Sequence, residues 1–102
     1  MGVDYGWEKF YLAMRYACRS NEPLQERLAG VIMGLCHLER DSFPTDELWE
    51  KFEHLMSETT KRSARGNEGT IQATTSQMSE DEAAKLLEAA FDIYNNLAKA
   101  EG

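Results

Sequence analysis

The chain has 102 residues, enough for one hydrophobic core but too few for two, so a single helical domain over residues 1–102 is expected. A composition of 42% hydrophobic and 28% charged residues is typical of a globular protein and argues against disordered or fibrous classes. Eighteen acidic and eleven basic side chains give a net charge of −7, which disfavours nucleic acid and anionic lipid as partners.

Neither a membrane-spanning segment nor an export segment is expected from the sequence. Its longest apolar run, residues 31–36, is far shorter than the roughly 20 residues that a membrane-spanning helix needs. The first residues lead directly into an amphipathic pattern, so a signal peptide is not expected. Cys18 and Cys36 occur within apolar helical patterns and outside any paired motif, which predicts buried free thiols. These features predict a cytoplasmic protein without a membrane segment.

The first half of the chain predicts two helices. Apolar side chains recur at spacings of three and four over about residues 6–19. A second helix is expected over residues 23–40, because Pro23 suits a first helical turn and leucines follow in a heptad-like seam. Gly30 and Gly34 lie four residues apart on this helix, a spacing that predicts close approach by the backbone of a neighbouring helix.

A third helix is expected over about residues 44–58, because a proline at position 44 suits a first turn and disfavours helix in the residue before it. Residues 59–78 are rich in Ser, Thr and Gly and show no amphipathic period, which predicts a long polar loop. Loops of this length are often functional, so this region is the first candidate for function. The polar side of the third helix carries a candidate acidic interaction surface: Asp46, Glu47, Glu50 and Glu53.

The last helix is predicted over residues 80–100. Ser79 and Glu82 have the spacing of a capping box at its start. Four amphipathic helices without an alternating strand pattern predict an all-α fold, as a small antiparallel four-helix bundle with a long polar loop between helices three and four. The loop leaves open whether the last helix packs beside the first or across the hairpin of the second and third.

The search for catalytic and metal-binding residues gives no site. Glu50 and His54 share a helix face, but the Glu-x-x-His pairs of di-iron bundles are absent from the sequence. His37 follows Cys36, yet neighbours on a helix point about 100° apart, which favours a boundary histidine over a nucleophile and base pair. Residues 66–69 contain two glycines without the lysine of a P-loop. No catalytic residue, metal ligand or cofactor is therefore predicted.

Two features favour interaction surfaces. Lys61, Arg62 and Arg65 gather in the predicted loop, where they fit either an anionic partner or the favourable end of a helix dipole. Leu12 and Tyr16 fall outside the main apolar stripe of the first helix. A second apolar face of this kind indicates either a subunit interface or a helix buried on two sides.

The leading interpretation is a non-enzymatic helical module that binds a protein partner or forms a homodimer, without a cofactor. The alternative is an acidic inhibitor, of the type that phages or mobile elements encode, which occupies a basic nucleic-acid-binding surface of its partner. Direct nucleic-acid binding through the basic residues of the loop is a third and less favoured interpretation, because the net charge opposes it, and enzyme function ranks last.

Overall fold

The computed structural model describes residues 2–62 and 69–101. Within these ranges the chain forms five α-helices and no β-strand, which confirms the all-α prediction. The Cα radius of gyration is 13.1 Å, near the roughly 13 Å of a compact domain of this length. The helices are α1 (Val3–Arg19), α2 (Leu24–Leu35), α3 (Asp46–Glu58), α4 (Thr70–Thr75) and α5 (Glu80–Glu101), with a 3₁₀ turn at Arg40–Ser42.

Helix α1 packs against both α2 and α5, and α5 also contacts α2 and α3. The last long helix therefore lies beside the first and also meets the second and third. Helices α1 and α2 are antiparallel, because Tyr5 near the start of α1 meets His37 just after α2, whereas Tyr16 near the end of α1 lies over Gly30. Among the helices of residues 2–62 and 69–101, none combines the length and apolar composition needed to cross a membrane.

The buried hydrophobic side chains form a cluster between the helices. Phe10 of α1 meets Phe43 and Phe52 nearly edge-on, with ring centroids 6.2 and 6.1 Å away, an arrangement that the charge distribution of aromatic rings favours. The aliphatic members of the cluster with 1% exposure or less come from α2, α3 and α5, and they are Leu28, Val31, Ile32, Leu35, Leu55, Ala83, Ala90, Ile93 and Leu97.

Helix α2 ends at Leu35, earlier than the predicted end near residue 40. The N–H of Leu38 donates to the carbonyl of Leu35 at 3.0 Å, and the chain turns away from the helix axis. This turn leads into the 3₁₀ segment and lets Phe43 enter the core, where burial of the ring offsets the lost helical hydrogen bonds. The 3₁₀ turn lies directly on α1, since a Cβ at Gly6 would come within 2.5 Å of the Ser42 carbonyl oxygen.

A short helix occupies part of the segment that the sequence predicts as loop, so the loop prediction over residues 59–78 is wrong for Thr70–Thr75. Helix α4 packs on α2, and its residues 73–75 are buried. The Thr74 hydroxyl donates to the Thr70 carbonyl and accepts from the N–H of Arg62, both at 2.9 Å. A helix of six residues is too short to show an amphipathic period and depends on tertiary packing for its stability.

The other predicted helix boundaries differ from the structure by a few residues. Helix α1 begins at Val3, and α3 begins after Thr45, whose hydroxyl accepts from the N–H of Leu48 at 3.2 Å. The capping box of α5 is confirmed, because the Ser79 hydroxyl accepts from the N–H of Glu82 at 3.1 Å.

Candidate interaction surface around helix α1

Four large hydrophobic side chains are exposed in the described part of the chain, and all of them lie on α1 or beside it. Leu12 and Tyr16, the two residues predicted to form a second apolar face, are 47% and 36% exposed. Met33, 48% exposed, lines a groove together with Tyr16, and Phe91, 58% exposed, lines another with α1. We name these four residues the α1 surface. Clustered exposed apolar side chains typically mark interaction sites.

A mostly apolar groove of about 380 Å³ lies at the surface between α1 and α5. Tyr11, Met14 and Cys18 line its α1 side, and Phe91 and Tyr94 line its α5 side. The spacings of these residues, three and four along α1 and three along α5, place them in two facing stripes. The groove therefore continues the packing between the two helices outward to the surface.

Tyr16 is held in place on the other side of α1. Its ring lies over Gly30, and its hydroxyl donates to the Glu22 carboxylate at 2.8 Å. The hydrogen bond to Glu22 and partial burial raise the pKa of Tyr16, while the bonds from Tyr16 and then Ser20 lower the pKa of Glu22. The predicted approach of a neighbouring backbone is wrong, because Gly30 meets a side chain and a Cβ at Gly34 would meet nothing within 4 Å.

A second groove, of about 540 Å³, lies between Tyr16, α2 and α4. Glu22 and Glu26 are its acidic lining residues, and Met33 is the exposed apolar one. The α1 surface is thus flanked by an apolar groove toward α5 and by a mixed groove toward α4.

Both cysteines are exposed free thiols, so the prediction of buried cysteines is wrong. Cys18 lies on the side of α1 that faces the groove, about 80° around the helix from the buried Phe10. Cys36 directly follows the last residue of α2, where the chain turns. Apolar periodicity alone did not distinguish the edge of a helical stripe from its centre.

The four predicted acidic residues of α3 are all exposed, and two of them are paired with cations of the same chain. Asp46 accepts from Arg40 at 2.6 Å. Glu47 lies 3.9 Å from Lys51, which also reaches Asp92 of α5 at 3.2 Å. The predicted carboxylates that form no ion pair within residues 2–62 and 69–101 are Glu50 and Glu53.

Lys61 of the predicted basic cluster is paired within the chain, and Arg62 is bound through its backbone. Lys61 lies 2.8 Å from Glu58, and its hydrogen bond lowers the pKa of that carboxyl. The backbone N–H of Arg62 donates to the Thr74 hydroxyl, and its exposed side chain lines a surface cleft together with Glu58 and Lys61. Arg65 lies outside the described residues.

The histidine next to Cys36 has a partner on α1. The Tyr5 hydroxyl lies 2.8 Å from the Nε2 atom of His37, and the two rings meet edge-on with centroids 5.8 Å apart. The Nζ atom of Lys9 lies 5.3 Å above the Tyr5 ring. Across the described parts of the chain, no three His, Cys, Asp or Glu residues lie close enough to hold one metal ion.

Sequence reasoning missed Phe91, the most exposed large hydrophobic residue of the described chain. It follows the buried Ala90 and lies about 100° around the helix from it, outside the apolar stripe that predicted the core. The available signal was a second stripe at residues 87, 91, 94 and 98, with the same spacing as the residues of α1 that face α5.

No protein-family model matches the chain, and no curated protein or solved structure is significantly similar to it. A functional assignment therefore depends on the surface chemistry described above.

Proposed function

We propose that this protein is a non-enzymatic, cytoplasmic interaction module that self-associates as a homodimer through the α1 surface. The observation that carries the proposal is the concentration of the exposed large hydrophobic side chains around one helix. Association removes such side chains from water, which is the main favourable term in protein association. The four longer helices serve as a bundle scaffold, and α4 closes one side of it.

The organisation of the aromatic residues supports this proposal. Tyr16 is held by the Glu22 carboxylate, and Phe91 lies 6.1 Å from Tyr94, centroid to centroid. Side chains that are already ordered lose little conformational entropy when a partner covers them. Large aromatic residues at the centre of an interface typically contribute most of the binding energy.

Sedimentation velocity from micromolar to millimolar concentration tests the proposal. The wild-type protein should pass from monomer to dimer as its concentration rises. Phe91→Ala should weaken the dimer by roughly tenfold or more, because it truncates an anchor residue. Glu53→Ala, an exposed change on α3, is the control and should leave the dimer unaffected. A wild-type protein that stays monomeric at the highest concentration would contradict the proposal.

The two free cysteines provide a second test within one protein. Cys18 lines the groove beside the α1 surface, whereas Cys36 is exposed at the end of α2 and does not line that groove. Alkylation of Cys18 by a small maleimide should slow as the protein associates, and alkylation of Cys36 should not. Equal rates at all concentrations in a protein that dimerises would place the interface elsewhere.

A second candidate function is an acidic inhibitor of a basic nucleic-acid-binding protein. The exposed carboxylates of Glu50 and Glu53, without an ion pair in the described residues, favour it. Binding to polylysine at low salt, where electrostatic attraction is least screened, provides the assay. Glu50→Gln and Glu53→Gln should each weaken that binding more than Glu88→Gln, which removes one exposed carboxylate from α5. Equal effects would indicate attraction by net charge alone.

A further inference from the structure

We infer that the occupant of the α1 surface is a second copy of this chain, whose α1 lies antiparallel to the first with Leu12 at the centre and complementary charges at both ends. The inference rests on the proposed self-association and specifies its geometry. It is carried by the order of charges along the exposed side of α1.

Five residues form an exposed stripe along this helix, at steps of four, four, three and four. Such steps keep side chains on one face of a helix. The first two residues are acidic, the central one is the 47% exposed leucine, and the last two are basic. The stripe consists of Asp4, Glu8, Leu12, Arg15 and Arg19, all of which are exposed.

The order of these charges is unfavourable within one chain. Asp4 and Glu8 are like charges at positions i and i+4, and Arg15 and Arg19 repeat that relation. Such pairs destabilise a helix by a few tenths of a kcal/mol. Within residues 2–62 and 69–101, none of the four lies in an ion pair that would compensate. A partner that supplies the opposite charges is therefore favoured.

The helix dipole explains only part of this order. A negative charge at Asp4 and a positive charge at Arg19 each complement the nearer end of α1. The effect is confined to the first and last turns, and Glu8 and Arg15 lie further inside the helix. Arg15 also lies 5.7 Å from the centroid of the Tyr11 ring, a cation–π contact that leaves its side chain exposed. Neither the dipole nor this contact accounts for the position of Glu8 on the exposed stripe.

One antiparallel register satisfies all four charges. Because the acidic pair and the basic pair are each four residues apart, Asp4 faces Arg19 of the second copy when Glu8 faces its Arg15. Two-fold symmetry repeats both contacts, as in most homodimers. A parallel arrangement in register would place like charges opposite one another.

The surroundings of the stripe fit the same arrangement. Leu12 lies midway between the charged ends, and its neighbours on α1 are Tyr11 and Tyr16. The exposed ring of Phe91 extends the apolar area toward α5. An apolar centre with a charged rim is the usual anatomy of a protein interface.

Charge reversal of one pair tests the register. Glu8→Arg places arginines opposite Arg15 of the second copy, and Arg15→Glu places glutamates opposite Glu8. Each variant alone should dimerise roughly tenfold more weakly than the wild type, since two attractive pairs become repulsive. A mixture of the two variants should form a heterodimer of near wild-type affinity, because both pairs become attractive again. Sedimentation velocity of the mixed and separate samples gives the readout.

A chain that carries both reversals should also dimerise like the wild type. Glu50→Arg makes the same change in charge on α3, so it controls for net charge and should leave dimerisation unchanged. Circular dichroism shows whether each variant is folded. A wild-type dimer that neither reversal weakens, or a mixture no tighter than its components, would overturn this register and leave self-association standing. A monomeric wild-type protein would overturn both proposals.

Discussion

Gly30 lies in the interior of α2 and Gly34 in its last turn, and the two glycines have different neighbours. A Cβ at Gly30 would come within 2.5 Å of the Tyr16 hydroxyl oxygen, whereas a Cβ at Gly34 would meet no atom within 4 Å. Glycine in a helix interior is less stable than alanine by about 1 kcal/mol. At Gly30 the missing side chain leaves space for the ring of Tyr16. At Gly34 the structure shows no contact that compensates for the lower stability of glycine.

Gly34→Ala should stabilise the protein by up to about 1 kcal/mol in urea unfolding, the helix-interior value being an upper limit for a residue in the last turn of α2. Gly30→Ala should stabilise it less or destabilise it, because the new methyl group displaces the ring of Tyr16. Loss of the Tyr16 hydrogen bond should also raise the pKa of Glu22 toward its ordinary value near 4.5, as measured by carbon-detected NMR titration. Equal stabilisation by both variants, with the pKa of Glu22 unchanged, would show that the position and hydrogen bond of Tyr16 do not require a glycine at position 30.

At the scale of elements, side-chain caps define the starts of two helices. Ser79 and Glu82 exchange hydrogen bonds at the start of α5, where the Glu82 carboxylate also accepts from the N–H of Ser79 at 3.4 Å. Thr45 caps α3 with a single bond of 3.2 Å. Each cap satisfies an N–H group that has no partner within its helix.

Ser79→Ala and Thr45→Ala should each lower the free energy of unfolding by about 1 kcal/mol, because each removes the acceptor of a helix cap. Ser57→Ala is the matched control, since this serine is exposed within α3 and caps no helix start. It should change stability by less than about 0.5 kcal/mol. Chemical denaturation followed by circular dichroism measures all three variants. A cost at Ser57 equal to that at Ser79 would argue against a specific capping effect.

For the molecule as a whole, one phenylalanine contributes to folding and another to the proposed association. Phe10 is fully buried and meets rings from the 3₁₀ connection and α3, whereas Phe91 is 58% exposed on α5. Burial of the first contributes to the stability of the monomer. The second contributes far less to the monomer, because much of its surface stays in water.

Phe10→Ala should cost about 3–5 kcal/mol in unfolding free energy, the usual range for a buried phenylalanine. Phe91→Ala should cost less than about 1 kcal/mol when measured at concentrations where the protein is monomeric. The comparison needs urea unfolding at low concentration together with sedimentation at high concentration. A large loss of monomer stability from Phe91→Ala would assign that residue to the core and remove it from the proposed interface.

Local chemistry was sufficient to predict the four longer helices and the start of α5. Their apolar side chains recur at helical spacing, and the Ser79 capping box uses residues only three positions apart. The sequence also indicated that Leu12 and Tyr16 lie outside the main stripe of α1, but it left open whether they are buried, and the structure shows both exposed. Their role in association stays a prediction, as does that of the acidic residues of α3.

Tertiary packing decided the features that depend on residues distant in sequence. Helix α4 packs on α2, and α2 stops early in a turn that leads Phe43 into the core. Cys18 and Phe91 are exposed because they line an open groove between α1 and α5. Periodicity shows that a residue lies on an apolar side of its helix, but the neighbouring helix determines whether that side is covered. The sequence by itself therefore determined the helices, and the packing of α1, α2 and α5 determined the surface available to a partner.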